Sequence, residues 1–179
     1  MDRGNHYEVA FEAFLQARGV CCIGVDEARR PFLGDSPVKS LDFLVFSDAG
    51  QLCVDVKGRR FPGGPPGKPR LVWECWSFQD DLDGLDRWTR LAGEGARGLL
   101  VFAYLLHRTV QLADTTPDLF VFRNRRYLFR AIDADDYRDR MRVRSPRWQT
   151  VCLAREDYRA LVRPFSDFLR VAQPVGVPF

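Results

Sequence analysis

Lysine is scarce in this chain: Lys39, Lys57 and Lys68 are the only three, and the remaining basic residues of a Lys+Arg total of 27 are arginines. Histidine is scarcer, with His6 and His107 alone. Zinc sites draw on His and Cys at paired spacings, and the five cysteines, Cys21, Cys22, Cys53, Cys75 and Cys152, show no such pairing. Lying mostly in apolar segments, they read as reduced structural thiols. Any metal site in this chain must therefore be built from oxygen donors, which points to magnesium or manganese. Long apolar runs are missing too. The longest, Gly98 to Leu106, is far too short to span a bilayer, and Met1-Asp2-Arg3-Gly4 ahead of a charged helical pattern does not resemble a signal peptide, so a cytoplasmic protein without membrane contact is expected. Internal repeats and low-complexity tracts are absent as well.

What is present fits one domain over residues 1–179. The length supports a full core, and 46% hydrophobic with 28% charged residues is the balance of a globular chain. A net charge of +3 excludes a polycationic binder of the histone type. Arginine offers a planar fork suited to phosphate. An excess of arginine over lysine can also be a by-product of genomic base composition, so it carries little weight.

The first element reads as a helix from about His6 to Ala17, with Tyr7, Ala10, Phe11, Phe14 and Leu15 at helical spacing and Gly19 closing it. Glu8 and Glu12 lie one turn apart on one face. Acids near a helix N-terminus commonly do no more than complement its dipole. Val20 to Val25 reads as a strand and Asp26 to Pro37 as a long polar loop, long enough to be functional. Lys39 to Phe46 is a second strand holding a lone acid, Asp42, in an apolar setting that demands a partner for it. Ser47-Asp48-Ala49-Gly50 supplies a turn, and Gln51 to Gly58 returns as a third strand with Asp42 and Asp55 toward the same end.

In that third strand Asp55 and Lys57 share one face while Val54 and Val56 turn into the packing. Alone, Asp-x-Lys is most simply an ion pair on an amphipathic strand. It is also an arrangement that can bind a divalent metal and position a water. A basic Gly/Pro-rich loop follows over Arg59 to Arg70, with Arg59, Arg60, Lys68 and Arg70 placed to track a phosphate backbone or simply to be solvated. Leu71 to Phe78 carries Trp73 and Trp76 as an extra strand or packing ridge. A second helix runs from about Asp81 to Ala92, stopped by Gly93, its clustered Asp80, Asp81, Asp83 and Asp86 read as dipole complementation. Gly98 to Leu106 is a buried strand. The last third holds a hairpin, Leu119 to Phe122 with Tyr127 to Ile132, a short helix near Asp133, a strand at Gln149 to Leu153, and helices over Glu156 to Val162 and Phe165 to Val171.

The order of helix with Glu, strand, strand with Asp, strand with Asp-x-Lys, helix, strand resembles the core of the PD-(D/E)xK nuclease superfamily, shared by many restriction endonucleases and archaeal Holliday-junction resolvases. More narrowly, His6-Tyr7-Glu8-Val9-Ala10-Phe11-Glu12 spells the pattern for which the HYExAFE family is named. The resemblance covers about residues 5–106 and leaves 107–179 as a family-specific extension. Two positions depart from the common pattern: the third-strand acid is Asp rather than Glu, and no proline precedes Asp42.

The resemblance implies an α/β fold: a restriction endonuclease-like αβββαβ core with a central mixed sheet flanked by helices, plus a C-terminal β-hairpin and helical extension. It implies a metal-dependent nuclease acting on DNA, with Mg2+ or Mn2+ as cofactor. Asp42 and Asp55 would bind the metal, assisted by the Val56 carbonyl and by Glu8 or Glu12, which the spacing does not distinguish. Lys57 would orient or deprotonate the attacking water, its pKa lowered by the metal. His6 would position structure or substrate, and Arg59, Arg60, Lys68 and Arg70 would contact substrate. A homodimer is left open. Two readings compete: a catalytically silent nuclease-like fold that binds nucleic acid or protein, and a phosphohydrolase of small nucleotides.

Overall fold

A computed structural model describes residues 5–25, 32–33, 36–37, 39–65 and 67–170. The chain opens with helix α1, His6–Ala17, and strand β1, Cys21–Gly24. A two-plus-two ladder follows, β2 at Phe32–Leu33 and β3 at Ser36–Pro37. Then come β4, Phe43–Ser47, β5, Gly50–Phe61, and β6, Ser77–Phe78. Helix α2, Gln79–Ala92, leads into β7, Arg97–Leu106. The C-terminal part holds β8, Leu119–Phe122, β9, Arg125–Asp133, α3, Ala134–Arg140, β10, Arg142–Ser145, and β11, Thr150–Cys152. It closes with α4, Arg155–Leu161, β12, Arg163–Pro164, and a 3-10 turn, Phe165–Leu169. Apart from the β2–β3 ladder, the polar loop expected over residues 26–37 lies outside the described residues, as does Val171.

One mixed sheet runs in the order β1-β4-β5-β7-β9-β12, with β8 also on β9. Only β5 and β7 are parallel, joined through α2 as a parallel pair requires; every other pairing in this sheet is antiparallel. The expected αβββαβ order is therefore realised in α1, β1, β4, β5, α2 and β7, with a mixed central sheet between helices. A separate three-stranded sheet, β10-β11-β6, lies outside it.

Each face of the sheet has its own core. On one side Phe11, Phe14 and Leu15 of α1 meet Phe43, Val45, Val54, Val56, Phe129 and Phe165. Phe11 alone makes edge contacts with the rings of Phe43, Phe129 and Phe165 at centroid distances of 4.9–5.5 Å. On the other side Leu82 and Leu85 of α2 pack with Leu100, Phe102, Tyr104, Tyr137 and Tyr158. Burial of each large apolar side chain contributes about 1.5–3 kcal/mol, so the sheet is clamped from both sides. The end of α1 is fixed by a Schellman pattern, Val20 N–H to the Leu15 carbonyl and Gly19 N–H to that of Gln16, with Gly19 at φ +67°.

Several boundaries differ from the sequence reading, each for a tertiary reason. β5 continues through Arg59, Arg60 and Phe61 because β7 pairs with it as far as Phe61 opposite Leu106. β4 begins only at Phe43, although Asp42 N–H still donates to the Val54 carbonyl. Over residues 71–76 no strand forms: Trp73 stacks face to face on Phe61 at 3.6 Å, and only Ser77 and Phe78 find a strand partner, in β11. The β8–β9 loop is two residues, Arg123 and Asn124, both at positive φ, which matches a hairpin's twist. The last helix is a short 3-10 turn.

Candidate active site

The ladder sets the geometry. Phe43 pairs with Val54, so Asp42 stands beside Asp55 where β4 enters the sheet, and its Oδ2 accepts from the Val56 N–H at 2.6 Å. Alternation along β5 sends Val54 and Val56 toward α1 and leaves Asp55 and Lys57 on the α2 side. Both acids are nearly sealed from solvent, Asp42 at 8% and Asp55 at 5% exposure.

Lys57 reaches Asp55 at 2.5 Å and Asp81 of α2 at 2.6 Å, and Lys39 also pairs with Asp81. Asp81 Oδ2 further accepts from Ser77 Oγ at 2.7 Å and from the Phe78 N–H at 2.9 Å, at the start of α2. The acid read as mere dipole complementation is thus a buried partner of the site lysine. α2 is held at the right depth by Gly84, where a Cβ would lie 3.2 Å from the Lys39 carbonyl, and by Trp88 Nε1 donating to that carbonyl at 3.1 Å.

The titration directions follow from this crowding. Burial, then the charges of Asp55 and Glu8, push the Asp42 carboxyl up to about 8 against the lowering effect of the Val56 N–H and Lys57. Burial also raises Asp55, and Lys57 offsets that in part. For Asp81 burial pulls upward too, but Lys57 and the hydrogen bonds from Lys39, Lys57 and Ser77 prevail and bring it down to about 2. Burial alone would depress Lys57; the charges of Asp55 and Asp81 prevail and raise it. With Asp55 and Asp81 as its partners the lysine is held as an ammonium.

Glu8 is the helix glutamate whose charge bears on Asp42. It also accepts from the Asn5 side chain, which caps α1 through the Tyr7 N–H at 3.1 Å. Glu12 lies one turn on and is partly buried. His6 Nδ1 meets Tyr127 Oη at 3.1 Å, and burial, then Arg125 and Arg60, lowers its pKa. Tyr7 joins the helix motif to the strand motif: its ring lies on Gly58, where a Cβ would come within 2.2 Å of it.

Of the basic residues, Arg59 is buried under Trp76 at 3.9 Å and donates to the Gly58 and Trp76 carbonyls. Arg60, Lys68 and Arg70 are exposed. Arg60 and Arg70 line a cleft of about 400 Å³ with Tyr7, Gly58, Gly63 and Trp76, directly beyond the Asp-x-Lys strand.

The donor chemistry fits a hard divalent cation. Asp42, Asp55 and Asp81 bring carboxylate oxygens together around the Lys57 and Lys39 ammoniums, with the charge of Glu8 acting on Asp42. Asp55 Oδ2, despite its ion-pair contact with Lys57, is buried without a well-directed hydrogen bond. Among the described residues no group of three or more His, Cys, Asp or Glu side chains converges closely enough to enclose a metal.

No protein-family model and no curated protein matches the chain. Among solved structures it is similar to Hjc, a Holliday junction resolvase from the archaeal hyperthermophile Archaeoglobus fulgidus, at 16% identity over 88% of this chain and 93% of that one, with a TM-score of 0.49. No helix among the described residues is long and apolar enough to cross a membrane.

Proposed function

We propose that this chain is a metal-dependent nuclease that hydrolyses phosphodiester bonds of DNA, and that it belongs with the HYExAFE branch of the PD-(D/E)xK superfamily. The supporting observation is the buried pair Asp42 and Asp55 in the field of Glu8, with Lys57 alongside. Asp42 and Asp55, with the Val56 carbonyl and Glu8 as further oxygen donors, would hold magnesium or manganese. When bound, the cation neutralises the phosphodiester's charge and activates water.

The chain's own groups do the rest. Asp42 gives up a proton held up to about pH 8 when the site is loaded. Lys57 acts as a charged donor, orienting the attacking water or bridging to a phosphate oxygen, because Asp55 and Asp81 keep it protonated. Asp81, itself braced by Lys39 and Ser77, is a positioning residue for that ammonium. Arg60 and Arg70 would follow the phosphate backbone through the adjoining cleft, with the exposed Lys68 as a further contact outside it.

The test is a cleavage panel of duplex, single-stranded, flapped and branched DNA with Mg2+ and Mn2+. Nicking or cleavage that needs the cation and disappears in Asp55→Asn and in Lys57→Met is the expected result. Cleavage that persists in either variant sinks the assignment. The silent-module reading is favoured by one observation, the absence of a closed ligand cluster among the described residues. It requires metal-insensitive DNA binding with a steep salt dependence and no cleavage of any form in the panel.

A further inference from the structure

A cavity of about 620 Å³ lies on the α2 side of the sheet, between residues 70–76, β11 and α4. It is larger than the cleft beside Tyr7 and adjoins it, since Arg70, Glu74 and Trp76 line both. None of the carboxylates of the candidate active site lines it. Its chemistry is of two kinds. The floor is apolar, formed by Leu128, Leu153 and the buried Tyr158, and the rim leaves Leu71 and Val72 exposed at 72% and 56%. Around this surface stand Arg144, Arg155 and Arg159, all exposed, and among the described residues none of the three has a carboxylate partner. The acid on the wall, Glu74, is already paired with Arg70 at 3.0 Å. The Trp76 ring carries the Arg59 guanidinium at 3.9 Å and that of Arg144 at 5.1 Å.

A lone phosphate would use the arginines and leave the apolar floor wet. A purely apolar ligand would leave the three guanidinium groups unused. A nucleotide satisfies both, with its base on the apolar wall and its phosphate on the guanidinium groups. The volume falls in the range of about 300–1,000 Å³ usual for small-ligand sites and is far too small for a duplex.

We infer that this cavity binds one nucleotide unit, presented as an unpaired nucleotide of a strand that enters from the cleft beside Gly58. The inference rests on the nuclease reading for the source of the strand, and not for the binding itself. Such a site selects substrates with an unpaired nucleotide next to the scissile region, a preference the active-site carboxylates do not provide.

The test is an equilibrium titration of the full chain in EDTA at low salt. A fluorescein-labelled oligothymidine is the probe, with AMP and inorganic phosphate as competitors. Arg155→Glu combined with Arg159→Glu is compared with Arg87→Glu combined with Arg90→Glu, an equal change of charge at exposed residues of α2 that line neither the cavity nor the cleft. The expected result is about a tenfold or greater loss of oligothymidine affinity in the first pair and about twofold or less in the second. AMP should compete better than phosphate. AMP that binds as tightly as the oligonucleotide identifies free nucleotide as the source, whereas weaker competition by AMP identifies the strand. Equal losses in the two variant pairs, or AMP no better than phosphate, overturn the inference. Because binding is read in EDTA it does not depend on cleavage: a chain that binds in this way yet cleaves nothing in the Mg2+ and Mn2+ panel sinks the nuclease reading and leaves the cavity assignment standing.

Discussion

The two faces of β5 are both buried but filled by opposite chemistry. Toward α1, Val54 and Val56 meet phenylalanine rings, and stability comes from apolar area and close packing. Toward α2, Asp55 and Lys57 meet Asp81 and Lys39, and the burial of charge is tolerated only because each charge has a partner. A sheet with one rigid apolar face can hold the other face in a state it would not choose on its own. Asp42, driven up to about 8 beside Asp55, shows the tension that remains.

The largest effects should separate the faces by signature rather than by size. Phe11→Ala is expected to cost about 3–5 kcal/mol in denaturant unfolding, and Lys57→Met a similar about 3–5 kcal/mol because Asp55 and Asp81 lose their shared cation. The Phe11→Ala loss should be the same at pH 5 and pH 8, while that of Lys57→Met should grow with pH as more carboxylate is left uncompensated. Matching pH profiles for the two would erase the distinction. Next in size, Gly58→Ala should cost about 1–3 kcal/mol by driving a methyl into the Tyr7 ring. Tyr7→Ala in the same chain should return part of that loss, and strict additivity in the double-mutant cycle would show that the two motifs do not touch.

Asp42→Asn should change stability in the other direction. Its folded pKa of about 8 lies above the ordinary 3.8, so the folded state holds a proton the unfolded state releases. That contribution is complete below pH 3.8 and is lost as pH rises to about 8. Asparagine keeps the acceptor for the Val56 N–H without the charge, so the variant should be more stable than the parent at pH 8 by on the order of 1–2 kcal/mol and should differ little at pH 4. The smallest effect belongs to the surface. Arg90→Ala breaks an exposed pair with Asp86 on α2 and should shift stability by less than about 0.5 kcal/mol.

Much of this arrangement was legible from residue order. Period and caps announced α1, alternation placed Asp55 with Lys57, and the turn at residues 47–50 put Asp42 next to Asp55. Asp81 was not legible, because its partner Lys57 is far away in sequence and its neighbours Asp80, Asp83 and Asp86 give the same local signal. A buried Asp at the third position of a helix, with Ser77 four residues before it, was the available hint. Arg59 looked like a loop residue because nothing in its neighbourhood reveals that β7 extends β5 past Gly58. Local pattern carries the elements; which charges meet across α2 and β5 is decided only by packing.

The central claim is that Asp42 and Asp55 form a buried carboxylate pair whose crowding a divalent cation would relieve. Thermal unfolding of the parent and of Asp42→Asn, from pH 5 to pH 9 with and without Mn2+, tests it most directly. The account predicts that without cation the parent's midpoint falls as pH approaches 8, that Mn2+ restores it, and that Asp42→Asn shows neither the fall nor the rescue. An Asp42→Asn protein that falls with pH and responds to Mn2+ as the parent does would contradict it.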